Sequence, residues 1–332
     1  MDSSATLQIG LNAVIVSVGH DMPQIVQVAD PQGEGADSLP FGLFDPLRHR
    51  TFEIGLRSWV EEQTALRLGY VEQLYTFGDR GRHRVRGDAE PHIVSVGYLA
   101  LSRQTPGSED VLAQYHSKWR SWYDYFPWED WRKGRPEIVD RDILPALGAW
   151  AKEPPPEGTP PRALGREERI ALAFGTATAP NWDEERALER YELLYEAGLL
   201  SEALQDGRPA ALTRTDLPTL GRPMKYDHRR ILATALSRLR AKLKYRPVVF
   251  EMMADTFTLT ELQRCVEAIS GHHLHKQNFR RLVENAELVE PTGATSTATG
   301  GRPAALFRFK RALLSERPAP GLRVGSRQPG YS

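Results

Sequence analysis

Cysteine is almost missing from this chain: Cys265 is the only one among 332 residues. No intrachain disulfide can form, so packing and hydrogen bonds must hold the fold. Such sparse usage points to a reducing compartment, here the cytoplasm. Long apolar runs are missing too. None approaches the roughly 18 to 20 residues that span a bilayer, and no membrane partner is expected. Met1 to Thr6 lacks the basic-then-apolar order of an export signal. Net charge is also absent, since 43 Lys and Arg balance 43 Asp and Glu.

What remains is a soluble globular composition, 40% hydrophobic and 26% charged. The length exceeds one ordinary core and predicts two or more domains. The charge balance is uneven. From Tyr226 to Leu314, about 15 Lys and Arg stand against about 8 Asp and Glu, a surplus near +7 that suggests a nucleic-acid surface.

Along the chain, Leu7 to Val18 and Gln24 to Ala29 read as paired strands, with His20 to Pro23 as their turn. Thr51 to Thr64 has helical spacing, with Phe52, Leu56, Trp59 and Val60 on one stripe. Val71 to Phe77 and His92 to Leu101 read as further strands, separated by a basic loop. Val111 to Trp131 holds four of the seven tryptophans and reads as a helix followed by an aromatic loop. Within it, Trp119 to Trp131 is one candidate dimer surface, and Asp183 to Leu204, read as one helix, is another. Both could equally be intradomain core. Ala151 to Arg162 carries five prolines and reads as a spacer. His228 to Leu243 is a strong amphipathic helix. Ile231, Leu232, Ala235, Leu236, Leu239 and Leu243 form its apolar stripe, with Arg229, Arg230, Arg238, Arg240, Lys242 and Lys244 on the other side. The tail from Arg317 has no periodicity and predicts disorder.

Two constellations carry chemistry. In the first, Thr258-Leu-Thr-Glu261 is a capping box ahead of a helix ending at Gly271. His275 to Asn285 supplies a second helix. Phe279, Leu282, Val283 and Ala286 face inward; Lys276, Gln277, Asn278, Arg280 and Arg281 face outward. Arg and Lys suit guanine and phosphate, whereas Asn and Gln suit adenine. A two-stranded flap follows, with Gly301-Arg-Pro303 at its base. Together these predict a winged helix-turn-helix contacting DNA through Thr258, Thr260, Lys276, Gln277, Asn278, Arg280, Arg281 and Arg302. A small helical domain with an ordinary solvated basic face is the plainer alternative.

The second constellation is Pro40-Phe-Gly42, Arg57 and Glu61-Glu62, which resembles a Nudix box. Such a box sets several carboxylates on one helix to hold Mg²⁺ ions against a pyrophosphate. Here Ser58 stands where the first helix Glu belongs, and Arg48 and His49 occupy the place of an upstream Glu. The spacing from Gly42 to Arg57 is one residue longer than in such a box, and Thr64 replaces its helix-ending Gly. No catalytic and no metal-binding residue is assigned. Fewer carboxylates and more guanidiniums suit holding a phosphate without cleaving it. The expected ligand contacts are Arg48, His49, Arg50, Arg57, Glu61, Arg80 and Arg82, with Arg84 and Arg86 extending the same basic loop. The plainer reading of Glu53, Arg57 and Glu61 is a surface ion-pair ladder.

Tyr70-Val-Glu-Gln-Leu-Tyr-Thr-Phe-Gly-Asp-Arg-Gly-Arg82, Val94-Ser-Val-Gly-Tyr-Leu-Ala-Leu101, Asp227-His-Arg-Arg-Ile-Leu232, Phe257-Thr-Leu-Thr-Glu-Leu-Gln263, Asn278-Phe-Arg-Arg281 and Gly301-Arg-Pro303 resemble the Nudix-related, NrtR-like transcriptional regulators of bacterial NAD metabolism. Pro40-Phe-Gly-Leu-Phe-Asp-Pro46 and Arg50-Thr-Phe-Glu-Ile-Gly-Leu-Arg57 look closest to the NadQ-type branch of alphaproteobacteria. The resemblance implies an α+β fold: a Nudix-like α/β/α sandwich with a helical insertion, followed by a C-terminal winged helix-turn-helix domain. The expected division is a sensing domain over 1–150, a linker and insertion over 151–224, a connecting helix over 225–246, a winged helix over 247–314 and a tail over 315–332. The resemblance further implies a homodimeric repressor of NAD-biosynthesis genes that binds double-stranded operator DNA. Its effector would be an adenine nucleotide (ATP, ADP-ribose or NAD), with no cofactor required. The alternatives are an active Nudix hydrolase of ADP-ribose or a related nucleoside diphosphate, and a module that docks an acidic protein.

Overall fold

The computed structural model describes residues 7–29, 36–79, 92–155, 162–175, 182–215, 217–296 and 303–312. Its centre is strand β1 (Leu7–Gly19), whose Val- and Ile-rich sequence is buried on both faces. Leu11, Ala13 and Ile15 face one core and Val14 and Val16 the other, as period-two alternation requires. His20 and Asp21 turn the chain into β2 (Met22–Val28), both with positive φ (51° and 58°). That is the two-residue hairpin turn whose twist suits right-twisted strands.

Strands β3 (Phe41–Leu43), β4 (Val71–Phe77), β5 (His92–Leu101) and β6 (Ser117–Ser121) complete a six-stranded sheet in the order β4-β5-β1-β2-β6, with β3 also on β1. The β1–β5 pair is parallel and in register from Leu7↔His92 to Val16↔Leu101. Strand β6 lies in the stretch expected to be an aromatic loop. It follows the short helix α2 (Ser108–Gln114) and pairs antiparallel with β2.

Helix α1 (Phe52–Thr64) covers one face of the sheet through Leu56 and Val60, which pack with Leu11, Ala13, Ile15, Val96 and Tyr98. The other face carries α8 (His228–Leu243), reached through α3 (Leu144–Ala151), α4 (Arg166–Phe174), α5 (Ala187–Glu196), α6 (Ser201–Gln205) and α7 (Pro209–Leu212). Gly97 of β5 allows α8 to lie this close, since a Cβ there would come within 2.9 Å of the Ile231 side chain. The stretch read as one helix over Asp183–Leu204 is instead two. Gly198 (φ 70°) breaks it, and a Cβ at that position would meet the Ala210 backbone at 2.5 Å.

The aromatic segment is core rather than a dimer surface. Trp122, Tyr125 and Trp128 are fully buried and Phe126 nearly so. In the second candidate surface Tyr191, Leu193, Leu194 and Tyr195 are likewise buried, so intradomain packing accounts for both.

After a 3-10 turn at Val248–Met252 come α9 (Leu259–Ser270), α10 (Lys276–Ala286) and the hairpin β7 (Val289–Ser296)–β8 (Ala304–Phe309). Thr258 and Glu261 form the reciprocal capping box at the start of α9, and Gly271 (φ 77°) closes its end. Phe257 exchanges both backbone hydrogen bonds with Phe307, tying β8 to the entrance of α9. Helices α9 and α10 followed by this hairpin make a winged helix-turn-helix. One continuous hydrophobic cluster runs from β1 through α8 to Val266, Ile269 and Phe279. Among the described residues, no helix is long and apolar enough to cross a membrane.

Candidate functional site

Helix α10 has two distinct sides. Phe279 and Val283 are buried, and Leu282 and Ala286 are half-buried. Lys276, Gln277, Asn278, Arg280 and Arg281 are all exposed. Among the described residues, no ion pair engages Lys276, Arg280 or Arg281. Unpaired guanidiniums beside two amides are suited to phosphate oxygens and base edges. Thr260 is exposed on the first turn of α9. Thr258 is not placed for contact: it is 7% exposed, and its hydroxyl accepts from the Glu261 N–H at 3.2 Å. Its part is to hold the start of α9. Arg302 lies outside the described residues.

The Nudix-like element is built around α1. Gly42 is required by packing, because a Cβ there would overlap the Trp59 ring at 2.2 Å. Trp59 Nε1 donates to the Leu43 carbonyl (2.9 Å), and Gln63 exchanges two hydrogen bonds with the Phe41 backbone (2.6 and 3.1 Å). Thr51 caps the helix by accepting from the Ile54 N–H. The charged residues of α1 are already engaged. Arg57 pairs with Glu53 at 2.8 Å and donates to the carbonyls of Leu68 and Gly69; Glu61 pairs with Arg67 at 3.1 Å. Arg57 and Glu61 are thus both engaged by neighbours on α1 and in the turn after it. His49 also turns inward, 6% exposed, with Nδ1 accepting from the Asp45 N–H at 3.3 Å. Arg48 and Arg50 reach solvent. Arg80 and Arg82, with Arg84 and Arg86, lie outside the described residues. Among the described residues, no group of three His, Cys, Asp or Glu side chains is placed to hold a metal ion.

The largest departure from expectation is the basic side of α8. An amphipathic helix ordinarily turns such a side to solvent. Instead Arg229 and Arg240 are each 1% exposed. Arg229 pairs with Glu202 at 3.1 Å and donates to the carbonyls of Tyr125 and Leu220. Arg230 is held by Asp79, Glu192 and Asp227; Lys242 by Glu72; and Lys244 by Glu184 and Glu185. Only Arg238 among the helix's arginines is exposed. Much of the C-terminal charge surplus is therefore neutralised inside the molecule.

Arg240 is the centre of this network. It donates to the carboxylate and carbonyl of Glu129, to the carbonyl of Glu184 (3.1 Å) and to the carbonyl of Ile269 (2.9 Å). Arg190 approaches the same Glu129 carboxylate at 2.5 and 2.8 Å. Burial works to raise the Glu129 carboxyl, but the two guanidiniums hold it below the usual carboxylate range. Glu184 behaves alike. Burial raises it, while hydrogen bonds from His272 and Lys244 hold it down at about 2. Glu129 and Arg240 were not singled out as functional from the sequence. A carboxylate set between Trp128 and Trp131 was the available signal, because a charge amid buried aromatics must be paired.

Comparison with known proteins matches the winged helix by sequence and most of the chain by fold. Residues 249–309 fit the family model of the NrtR DNA-binding winged helix domain. Over 86 residues the chain is 42% identical to the ADPR responsive transcriptional repressor NtrR of Acinetobacter baylyi, a match spanning 26% of this chain and 34%, about a third, of that protein. The crystal structure of Shewanella oneidensis NrtR complexed with a 27mer DNA superposes with a TM-score of 0.53 at 20% identity, covering 91% of this chain and 93% of that one. NrtR from the same organism, described without DNA, gives a TM-score of 0.51 at 20% identity, with 91% and 94% covered. Residues 249–309 are thus similar to the NrtR DNA-binding winged helix, and the fold of the chain as a whole is like that of NrtR.

Proposed function

We propose that this chain is a nucleotide-responsive transcriptional repressor: a Nudix-like sensor over 1–150, closed by the helix within 225–246 and joined to a winged helix over 247–314 that binds operator DNA. The observation that carries this reading is the outward side of α10, where Lys276, Gln277, Asn278, Arg280 and Arg281 stand exposed. The match of residues 249–309 to a DNA-binding domain supports it. One winged helix covers little DNA, so a homodimer reading two half-sites is the expected working form. By the resemblance, its targets are genes of NAD biosynthesis.

The effector is an adenine nucleotide. ADP-ribose is the first to test, ahead of ATP and NAD, since the A. baylyi relative is ADPR responsive. Its phosphates would meet Arg48 and Arg50, and Arg80 and Arg82 stay candidates from the sequence alone. Hydrolysis has little support. Ser58 replaces a carboxylate, and Glu61 is engaged by Arg67, which leaves the metal site short of ligands.

The test is a DNA-binding assay on duplexes selected from a random library by the whole protein, with and without ADP-ribose. A selected sequence whose affinity changes at least about fivefold with the nucleotide is the expected result, since allosteric couplings typically span 5- to 150-fold. No sequence preference would refute the regulator. Sequence-specific binding insensitive to all three nucleotides would leave a DNA binder and refute the sensor.

A further inference from the structure

A short turn, residues 271–275, joins α9 to α10. We propose that this turn is clamped from outside the winged helix, and that Trp182 and Glu184 are the positioning residues that fix the recognition helix for sequence-specific binding. This rests on the DNA-reading function proposed above.

Five contacts from beyond the winged helix converge on residues 268–272. The Tyr123 hydroxyl donates to the Ala268 carbonyl at 2.8 Å. Arg240 Nε donates to Ile269 at 2.9 Å, and the Trp131 N–H donates to the Gly271 carbonyl at 2.9 Å. The Trp182 ring meets the His272 ring edge-on at 4.4 Å, and Glu184 Oε2 lies 3.3 Å from His272 Nε2. The turn is pressed against this surface so tightly that a Cβ on Gly271 would come within 2.6 Å of the Glu129 carbonyl oxygen.

Trp182 and Glu184 are themselves held. The Trp182 ring stacks on Trp131 at 5.0 Å and 16°, with the guanidiniums of Arg190 and Arg240 each 5.3 Å from it. Glu184, 4% exposed, also accepts from Lys244 at 2.9 Å. Buried polar groups satisfied on several sides favour one geometry. Helix α10 begins at Lys276, four residues beyond His272. A displaced turn therefore moves Lys276, Gln277, Arg280 and Arg281 together, away from base edges that tolerate little misplacement. Contacts to phosphate, which supply affinity for any sequence, depend less on that angle.

The experiment uses the whole chain and the duplex it selects from a random library. Trp182→Ala, Glu184→Gln and the conservative Trp182→Phe are compared with the parent on that duplex and on a random duplex. Hydrogen exchange is followed at residues 271–275. Trp182→Ala and Glu184→Gln are expected to weaken the selected site by about tenfold or more, a loss equal to one mismatched base pair, with random-duplex binding within about twofold. Trp182→Phe should restore most of the loss, and exchange at 271–275 should quicken in the first two variants while β1 stays protected. Folded variants that keep parental specificity and parental exchange overturn the clamp, as does an equal loss on both duplexes. Should the parent select no sequence, the regulator fails by itself, and exchange at 271–275 alone decides whether the clamp exists.

Discussion

Arg240 of α8 donates from Nε to the carbonyl of Ile269, the penultimate residue of α9, at 2.9 Å. A guanidinium rooted in the helix that closes the sheet domain thereby fills an acceptor that the end of α9 leaves open. The same side chain grips Glu129, a residue 111 positions earlier in the chain. The core of the sheet domain and the winged helix share one buried cation, and its removal affects both.

Arg240→Gln should lower stability by about 3 to 5 kcal/mol, because it leaves Glu129 with one buried partner fewer. Arg240→Lys should recover only part of this, since an ammonium lacks the planar fork that reaches Glu129 and Ile269 together. Chemical denaturation of the three proteins checks both, and a midpoint unchanged in Arg240→Gln would contradict the network.

Arg280→Ala and Arg281→Ala should weaken binding to the selected DNA. A base-edge contact should cost about 1 to 3 kcal/mol and relax specificity at one position, whereas a phosphate contact should weaken all sequences and reduce the salt slope. Thr258→Ala should act differently, lowering stability by about 1 kcal/mol through the lost cap. Binding isotherms at several salt concentrations, read beside thermal melts, separate the three.

In the sensor, Arg48→Ala and Arg50→Ala should each weaken ADP-ribose binding by about 1.5 to 3 kcal/mol where a charged hydrogen bond is lost, with thermal stability unchanged. Arg57→Ala should show the reverse pattern, a lower melting temperature from the loss of its bonds to Glu53 and the Leu68 and Gly69 carbonyls. Calorimetric titration against the melts distinguishes them. A large affinity loss in Arg57→Ala at full stability would place the ligand on α1.

Acid should loosen the clamp. The Glu184 carboxyl is held at about 2, below its ordinary value of 4.5. Its contribution to stability is therefore fully present above about pH 4.5 and is lost as pH falls toward 2. The difference in unfolding free energy between the parent and Glu184→Gln should shrink across that interval. A difference constant from pH 6 down to pH 2.5 would remove Glu184 from the account.

Much of the fold was legible because local patterns and tertiary packing agree. The period-two run of β1, the stripe of α8, and the Thr258–Glu261 box with Gly271 gave elements in their observed places. The exposed side of α10 was legible for the same reason. What escaped was long-range pairing. A helical wheel assigns Arg229 and Arg240 to solvent, yet their partners are Glu202 and Glu129, far away in sequence. Strand β6 escaped because Ser117–Ser121 lacks clean alternation and is recruited by β2. Motif spacing likewise does not reveal that Arg57 bonds Glu53 and the turn after α1, or that His49 accepts from Asp45.

The enclosure of α8 bears on engineering. Many regulators can be cut between sensor and reading head and rejoined in new combinations, because the junction is little more than a tether. Here a cut at residue 246 would strip Arg240 from the Ile269 carbonyl and Trp131 from Gly271, exposing donors and acceptors that no foreign sensor supplies. A working chimera would have to carry Tyr123 to Trp131, Trp182 to Arg190 and α8 along with the winged helix. The unit of inheritance for this winged helix is thus larger than the winged helix itself.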